Sequence, residues 1–131
     1  MRILLADHRL KIRFALRALL EQRPGVEVVG EAVDAEDLLT QIEATCPDLV
    51  LLDWKLQGLP AVNLLPTLRR FCPNTRVIIL SGRPEARKAA LDAGADAFVS
   101  KTDPPGRLLA AIDHLLVRSQ CKQDEIPRSM Q

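Results

Sequence analysis

The sequence predicts an α/β fold of three layers, a doubly wound, five-stranded parallel sheet with helices on both faces. Three observations carry this. Four short apolar runs, Ile3 to Ala6, Leu49 to Leu52, Val77 to Leu80 and Ala97 to Val99, have the length and Val/Ile/Leu content of strands covered on both faces. Segments with helical spacing separate them. The chain has 131 residues, 47% hydrophobic and 27% charged, one domain's worth with enough apolar content for a core of its own.

The elements follow in order. After the first strand, Ile12, Ala15, Leu16, Leu19 and Leu20 repeat at three- and four-residue spacing and form the core face of a helix ended by Arg23-Pro24-Gly25. Val26 to Gly30 alternates and reads as an edge strand. Leu38, Leu39 and Ile42 mark a second helix, closed at Cys46-Pro47. Pro66 is awkward in a third helix and is tolerated if Asn63 is the N-cap, so that helix is expected to be short and to start late. Pro84 to Ala93 predicts a short fourth helix with Gly94 in the left-handed position after it. Asp103-Pro104-Pro105 is a start signal with Asp103 as cap, and Leu108, Leu109, Ile112, Leu115 and Leu116 supply the core face of the fifth. Five β-then-α units imply right-handed crossovers. The domain is expected over residues 1–118, with residues 119–131 a polar, disordered tail.

Composition removes several function classes. Eighteen basic and seventeen acidic residues leave a net charge of +1, without the basic excess expected of a nucleic-acid binder. Three Phe, one Trp and no Tyr offer little base-stacking surface. Cys46, Cys72 and Cys121 are odd in number, widely spaced and without a C-x-x-C pair, which reads as reduced thiols in the cytoplasm. The first apolar run is too short for a signal peptide or a membrane span.

In open α/β sheets ligands bind beyond the carboxyl ends of the strands. Those ends carry Asp7-His8, Asp53, Ser81-Gly82 and Lys101. An Asp after a strand is often only a helix cap, but polar groups at four strand ends suggest a site. Together with Leu16-Arg17-Ala18-Leu19-Leu20, Val28-Val29-Gly30-Glu31-Ala32, Pro47-Asp48 before the third strand and Ala93-Gly94-Ala95-Asp96, they resemble the receiver domains of two-component response regulators, notably receivers that precede helix-turn-helix output domains.

The resemblance implies a flavodoxin-like, CheY-like (βα)5 fold with strand order 2-1-3-4-5. It further implies that Asp53 accepts a phosphoryl group from a phosphohistidine, with Ser81 and Lys101 on the phosphoryl oxygens. Mg²⁺ would be held by Asp7, Asp53 and the Lys55 backbone carbonyl. Ser81 and Phe98 would be switch elements, with Lys55 and Arg83 tuning phosphoryl lifetime. The physical need is plain: two unit charges about 5 Å apart repel by roughly 3 kcal/mol at an effective dielectric of ~20, so an anion attacking an anion requires cations.

Two departures stand out. Receivers normally carry two consecutive acids after the first strand, and here the second is His8, a poor ligand for a cation that demands hard oxygens. Lys55, Arg83 and Lys101 then set three positive charges against Asp7 and Asp53, and these cations are expected to replace Mg²⁺ in part. Mg²⁺ binding is therefore expected to be weak. The segment between Ser81 and Gly94 is also shorter than in many receivers, which makes a homodimer through the fourth helix less secure.

On the first helix Leu10 and Phe14 lie opposite the core stripe with Arg13 and Arg17 nearby, a candidate surface for a histidine kinase or phosphotransfer protein. Packing of Phe14 against the fifth helix is the competing expectation. Reading Arg9, Arg13 and Arg17 as a DNA stripe is disfavoured by the charge balance. The function expected is a stand-alone, non-enzymatic phosphorelay receiver acting by protein contact, without DNA or membrane. Its alternatives are a phosphorylation-independent pseudo-receiver and, from another class, a flavodoxin-like nucleotide or flavin binder, which lacks a glycine-rich loop at Asp7-His8-Arg9-Leu10.

Overall fold

The computed structural model describes residues 1–56, 58 and 61–115. Its strands are β1 (Arg2–Ala6), β2 (Glu27–Ala32), β3 (Leu49–Asp53), β4 (Arg76–Ser81) and β5 (Ala97–Ser100). They form one parallel sheet in the order β2-β1-β3-β4-β5. The helices are α1 (Leu10–Leu20), α2 (Ala35–Thr45), α3 (Ala61–Phe71), a 3₁₀ turn (Pro84–Ala86) leading into α4 (Arg87–Asp92), and α5, helical from 105 through 115. The expected fold class and strand order are both present. The tail expected at 119–131 lies outside the described residues.

Strand alternation divides the core in two. Leu4, Ala6, Val50, Leu52, Val77, Ile79 and Phe98 face one way, against Leu38 and Ile42 of α2, Leu64, Leu65 and Leu68 of α3, and Ala90 of α4. Ile3, Leu5, Leu49, Leu51, Ile78, Leu80 and Val99 face the other, against Leu20 of α1 and Leu108, Ile112 and Leu115 of α5. Both faces of β3 are buried, which explains its unbroken apolar run and fixes Asp53 where that run stops. Edge strand β2 is only half-buried, and its pairing with β1 slips by one residue between Ile3 and Leu4.

Helix ends follow their residue chemistry, with two corrections. Asp34 caps α2, its Oδ1 accepting the Asp37 N–H at 2.8 Å, and Gly94 has φ +108° after α4. α3, by contrast, begins at Ala61, so Asn63 lies inside it and is not its cap; Pro66 also lies within the helix, on its exposed side. Helix α5 begins one residue later than a cap at Asp103 requires, and the Asp103 carboxylate instead accepts the Ser100 N–H at 3.1 Å.

The cysteines are a third correction. Cys46 and Cys72 form a disulfide with Cα atoms 5.7 Å apart. Helices α2 and α3 both run back from the carboxyl edge of the sheet, so their last turns bring the two residues together at the opposite edge. Spacing in sequence did not show this pairing, and these cysteines no longer argue for a reduced compartment.

Candidate functional site

Three strands end in the residues that form the site. Asp7 follows β1, Asp53 closes β3 and Ser81 closes β4; all three are buried. Lys101 follows β5, and its backbone N–H donates to the Ser81 carbonyl at 2.7 Å, which ties the β4 and β5 ends together. Its ammonium reaches across the sheet edge to Asp7 Oδ2 at 2.9 Å and Asp53 Oδ1 at 3.1 Å. Two buried carboxylates thus share one cation.

The other carboxylate oxygens turn the opposite way. Asp7 Oδ1 accepts the Arg9 N–H at 2.9 Å, so part of the bland reading of this residue, support for the start of a helix, holds as well. His8 Nδ1 stands 3.8 Å from Asp7 Oδ1 and 3.5 Å from Asp53 Oδ2, with its side chain 37% exposed. Asp53 Oδ1 also accepts the Lys55 N–H at 3.3 Å. Among the described residues no hydrogen-bond donor reaches Asp53 Oδ2. Burial by itself pushes the Asp7 carboxyl up, but the Lys101 hydrogen bond, the Arg9 N–H and the charges of both residues outweigh it and hold it below the usual carboxylate range.

A cleft of about 450 Å³ opens over this cluster, lined by His8, Asp53, Lys55, Ser81, Arg83 and Lys101 among others. The structure therefore brings together the residues expected at the strand ends. Ser81 Oγ accepts the Arg83 N–H at 3.1 Å, which orders the loop that leaves β4. Lys55 and Arg83 are exposed and pair with neither carboxylate; of the three cations expected to neutralise the pocket, Lys101 alone does so directly. Phe98 is buried in the α2/α3/α4 half of the core. Gly58 turns the loop after β3 at φ +111°, and a Cβ there would stand 2.8 Å from that of Ala35. That position requires glycine on both counts.

One contributor was not legible in the sequence. Arg13, expected beside the exposed patch of α1, is buried, donating from Nη1 to the Asp7 carbonyl at 2.6 Å and from Nε to Glu31 at 3.1 Å. It braces the β1–α1 turn from behind. With Arg17 also paired to Glu31, the supposed arginine stripe is not a free surface. Leu10 and Phe14 are 69% and 73% exposed, so Phe14 does not fold onto α5. Ile12, Leu16 and Leu19, expected in the core, are half-buried and line an apolar groove of about 520 Å³ between α1 and α5.

A doubly wound sheet with two carboxylates and a lysine at its carboxyl edge defines a receiver-type acidic pocket. The chain belongs to the response regulator receiver domain family, whose model matches residues 3–113. It is 33% identical over 112 residues to the nitrate/nitrite response regulator protein NarL of Escherichia coli K12, covering 84% of this chain and 52% of that protein. It is 37% identical over 102 residues to protein-glutamate methylesterase/protein-glutamine glutaminase 3 of Geobacter sulfurreducens, covering 76% of this chain and 27% of that one. The crystal structure of a LuxR-family two-component response regulator from Aurantimonas superposes with a TM-score of 0.82 at 33% identity, covering 88% of this chain and 84% of that one. The chain spans about half the length of NarL, and family membership displaces the flavodoxin-like alternative.

Proposed function

We propose that the chain is a phosphorelay receiver that takes a phosphoryl group on Asp53 and signals through protein contact rather than as an enzyme. The observation that carries this reading is the asymmetry of the Asp53 carboxylate. Oδ1 is held by Lys101 and the Lys55 N–H, while Oδ2 has no hydrogen-bond donor among the described residues, in a side chain that lines the cleft. An oriented, unpartnered anionic oxygen is a nucleophile. Attack on the phosphorus of a phosphohistidine forms an acyl phosphate on Asp53 as the P–N bond breaks, its electron pair leaving with the imidazole.

Lys101 offsets part of the charge brought together, and Ser81 offers a hydroxyl at the cleft wall. Response regulator receivers bind Mg²⁺ at the acidic pocket. Here the donor set does not fit it: beside Asp7 and Asp53 stands an imidazole, 3.5–3.8 Å from their oxygens, where a hard octahedral cation needs oxygen. The Lys55 carbonyl alone does not restore the missing carboxylate charge. A second reading, a receiver that works without phosphorylation, is favoured by this same substitution.

The partner in either reading is a histidine kinase or phosphotransfer protein meeting Leu10 and Phe14, and the setting is the cytoplasm. None of the described helices is long and apolar enough to cross a membrane. Phe98 and Ser81 are the elements proposed to reset, with Lys55 and Arg83 bordering the phosphoryl group. Incubation with acetyl phosphate or phosphoramidate, alone and with divalent cations, tests the proposal by intact mass. One phosphoryl group per chain is expected in the wild type and none in Asp53→Asn. Absence of transfer under every condition selects the second reading.

A further inference from the structure

We infer that the Asp7–His8–Asp53 cluster is a site for a borderline divalent cation of the Zn²⁺ type, not for Mg²⁺. Among the described residues, these three each offer one donor atom, all within 4.8 Å of one another. His8 Nδ1 makes no hydrogen bond to either carboxylate, and its distances of 3.5 and 3.8 Å are long for one. They are close to something else. With ligand bonds of 2.0–2.1 Å, adjacent donors in a tetrahedral zinc site stand about 3.3–3.4 Å apart, whereas adjacent oxygens around octahedral Mg²⁺ stand about 2.9 Å apart. The two His8 spacings need only a small contraction to match the first, and the two carboxylate oxygens lie within 4.8 Å of each other.

The division of the carboxylates strengthens the case. Lys101 uses Asp7 Oδ2 and Asp53 Oδ1, which leaves Asp7 Oδ1 and Asp53 Oδ2 on the His8 side. A metal can therefore enter without displacing the lysine. Asp53 as a residue is 4% exposed, and its Oδ2 accepts no hydrogen bond among the described residues and faces the cleft, where an entering cation can reach it. Asp7 Oδ1 already accepts the Arg9 N–H at 2.9 Å and the Arg9 Nε–H at 3.5 Å; the second is a long contact from an exposed arm, and a cation takes its lone pair. Neutral imidazole with its proton on Nε2 supplies the third donor, and the cleft leaves a fourth position open, as in zinc sites that bind an exogenous ligand. The two carboxylates are balanced by Lys101 and, at the longer distance of 3.5 Å, by the Arg9 guanidinium, whose place on Asp7 Oδ1 a divalent cation takes.

This inference does not depend on transfer to Asp53, and its test uses no phosphodonor. Zn²⁺ is titrated calorimetrically into the full chain with Cys46 and Cys72 oxidised, in a Cys121→Ser background so that free thiol does not compete. One Zn²⁺ per chain is expected, not displaced by an equal concentration of Mg²⁺. His8→Ala, at an exposed side chain with no hydrogen bond to lose, should stay folded and weaken Zn²⁺ by roughly 10–100-fold or more. Co²⁺ put in its place should give the intense visible bands of a tetrahedral centre, lost in His8→Ala. Zn²⁺ affinity unchanged in His8→Ala, equal affinity for Mg²⁺, or a weak octahedral Co²⁺ spectrum would each overturn the assignment.

Discussion

Replacing His8 by Asp places a carboxylate where receivers normally carry one, and the consequence can be worked from the geometry. A charge about 3.5 Å from Asp53 costs about 5 kcal/mol at an effective dielectric of 20. His8 is more than a third exposed, and Lys101 sits 2.9 and 3.1 Å from the neighbouring carboxylates, so solvent and the ammonium screen most of that. A net loss of about 1–2 kcal/mol is expected, or roughly 3–8 °C in Tm for a domain of this size. The loss should be reversible by metal. A cation at 100 times its dissociation constant returns about 2.7 kcal/mol, enough to lift His8→Asp to or above the wild type. The assay is thermal unfolding of both proteins with and without millimolar Mg²⁺, followed by phosphodonor labelling. His8→Asp should be the less stable protein without Mg²⁺ and gain the more with it. If the wild type gains as much Tm from Mg²⁺ as the variant, the imidazole is not what sets the metal preference and the reasoning fails.

Lys101→Met leaves Asp7 buried without its nearer cation. The depressed Asp7 carboxyl contributes stability that is present above its unfolded pKa and lost as pH falls through the lower folded one; in the variant only the Arg9 N–H and charge remain to oppose burial, and the loss should move to higher pH, read as Tm against pH. If the acid limb does not move, the Lys101–Asp7 contact is not what depresses the carboxyl. The Cys46–Cys72 bridge closes a separation of 26 residues, so Cys46→Ser is expected to cost roughly 3.5 kcal/mol on a loop-entropy basis, checked by urea unfolding, and a thiol assay on denatured, unreduced wild type should find Cys121 alone free. Three free thiols would contradict the bridge. Phe14→Ala removes an exposed ring, so stability should change by no more than about 0.5 kcal/mol while affinity for the phosphotransfer partner falls; unchanged affinity in a pull-down would remove α1 from the docking surface.

The sheet was legible because β3 and β4 are buried on both faces and must read as apolar runs, with Asp53 and Ser81 marking where burial ends. Their convergence at one edge follows from parallel topology. What escaped depends on contacts between distant segments. Cys46 and Cys72 pair only because α2 and α3 end at the same edge. Arg13 is indistinguishable in sequence from Arg9 and Arg17, yet it is buried because the Asp7 carbonyl and Glu31 on β2 lie beneath it. Pro66 misled by the opposite route, since a local rule against proline was outweighed by Leu64, Leu65 and Leu68 buried against the sheet, with the ring left on the exposed face.

The pocket itself separates two demands that the receiver family ordinarily meets with one set of residues. Positioning the proposed acceptor, Asp53, depends on the ends of β1, β3 and β5, and here the Lys101 bridge joins Asp7 and Asp53 without any contact to position 8. Choosing the cation depends on position 8 itself, a half-exposed side chain on the turn into α1 that the sheet does not constrain. A histidine in place of an acid at position 8 therefore bears on metal preference and leaves the Asp7–Lys101–Asp53 geometry intact. This also explains why the fold and the proposed acceptor read clearly from the strands, while the cation preference of the site turns on one residue outside them.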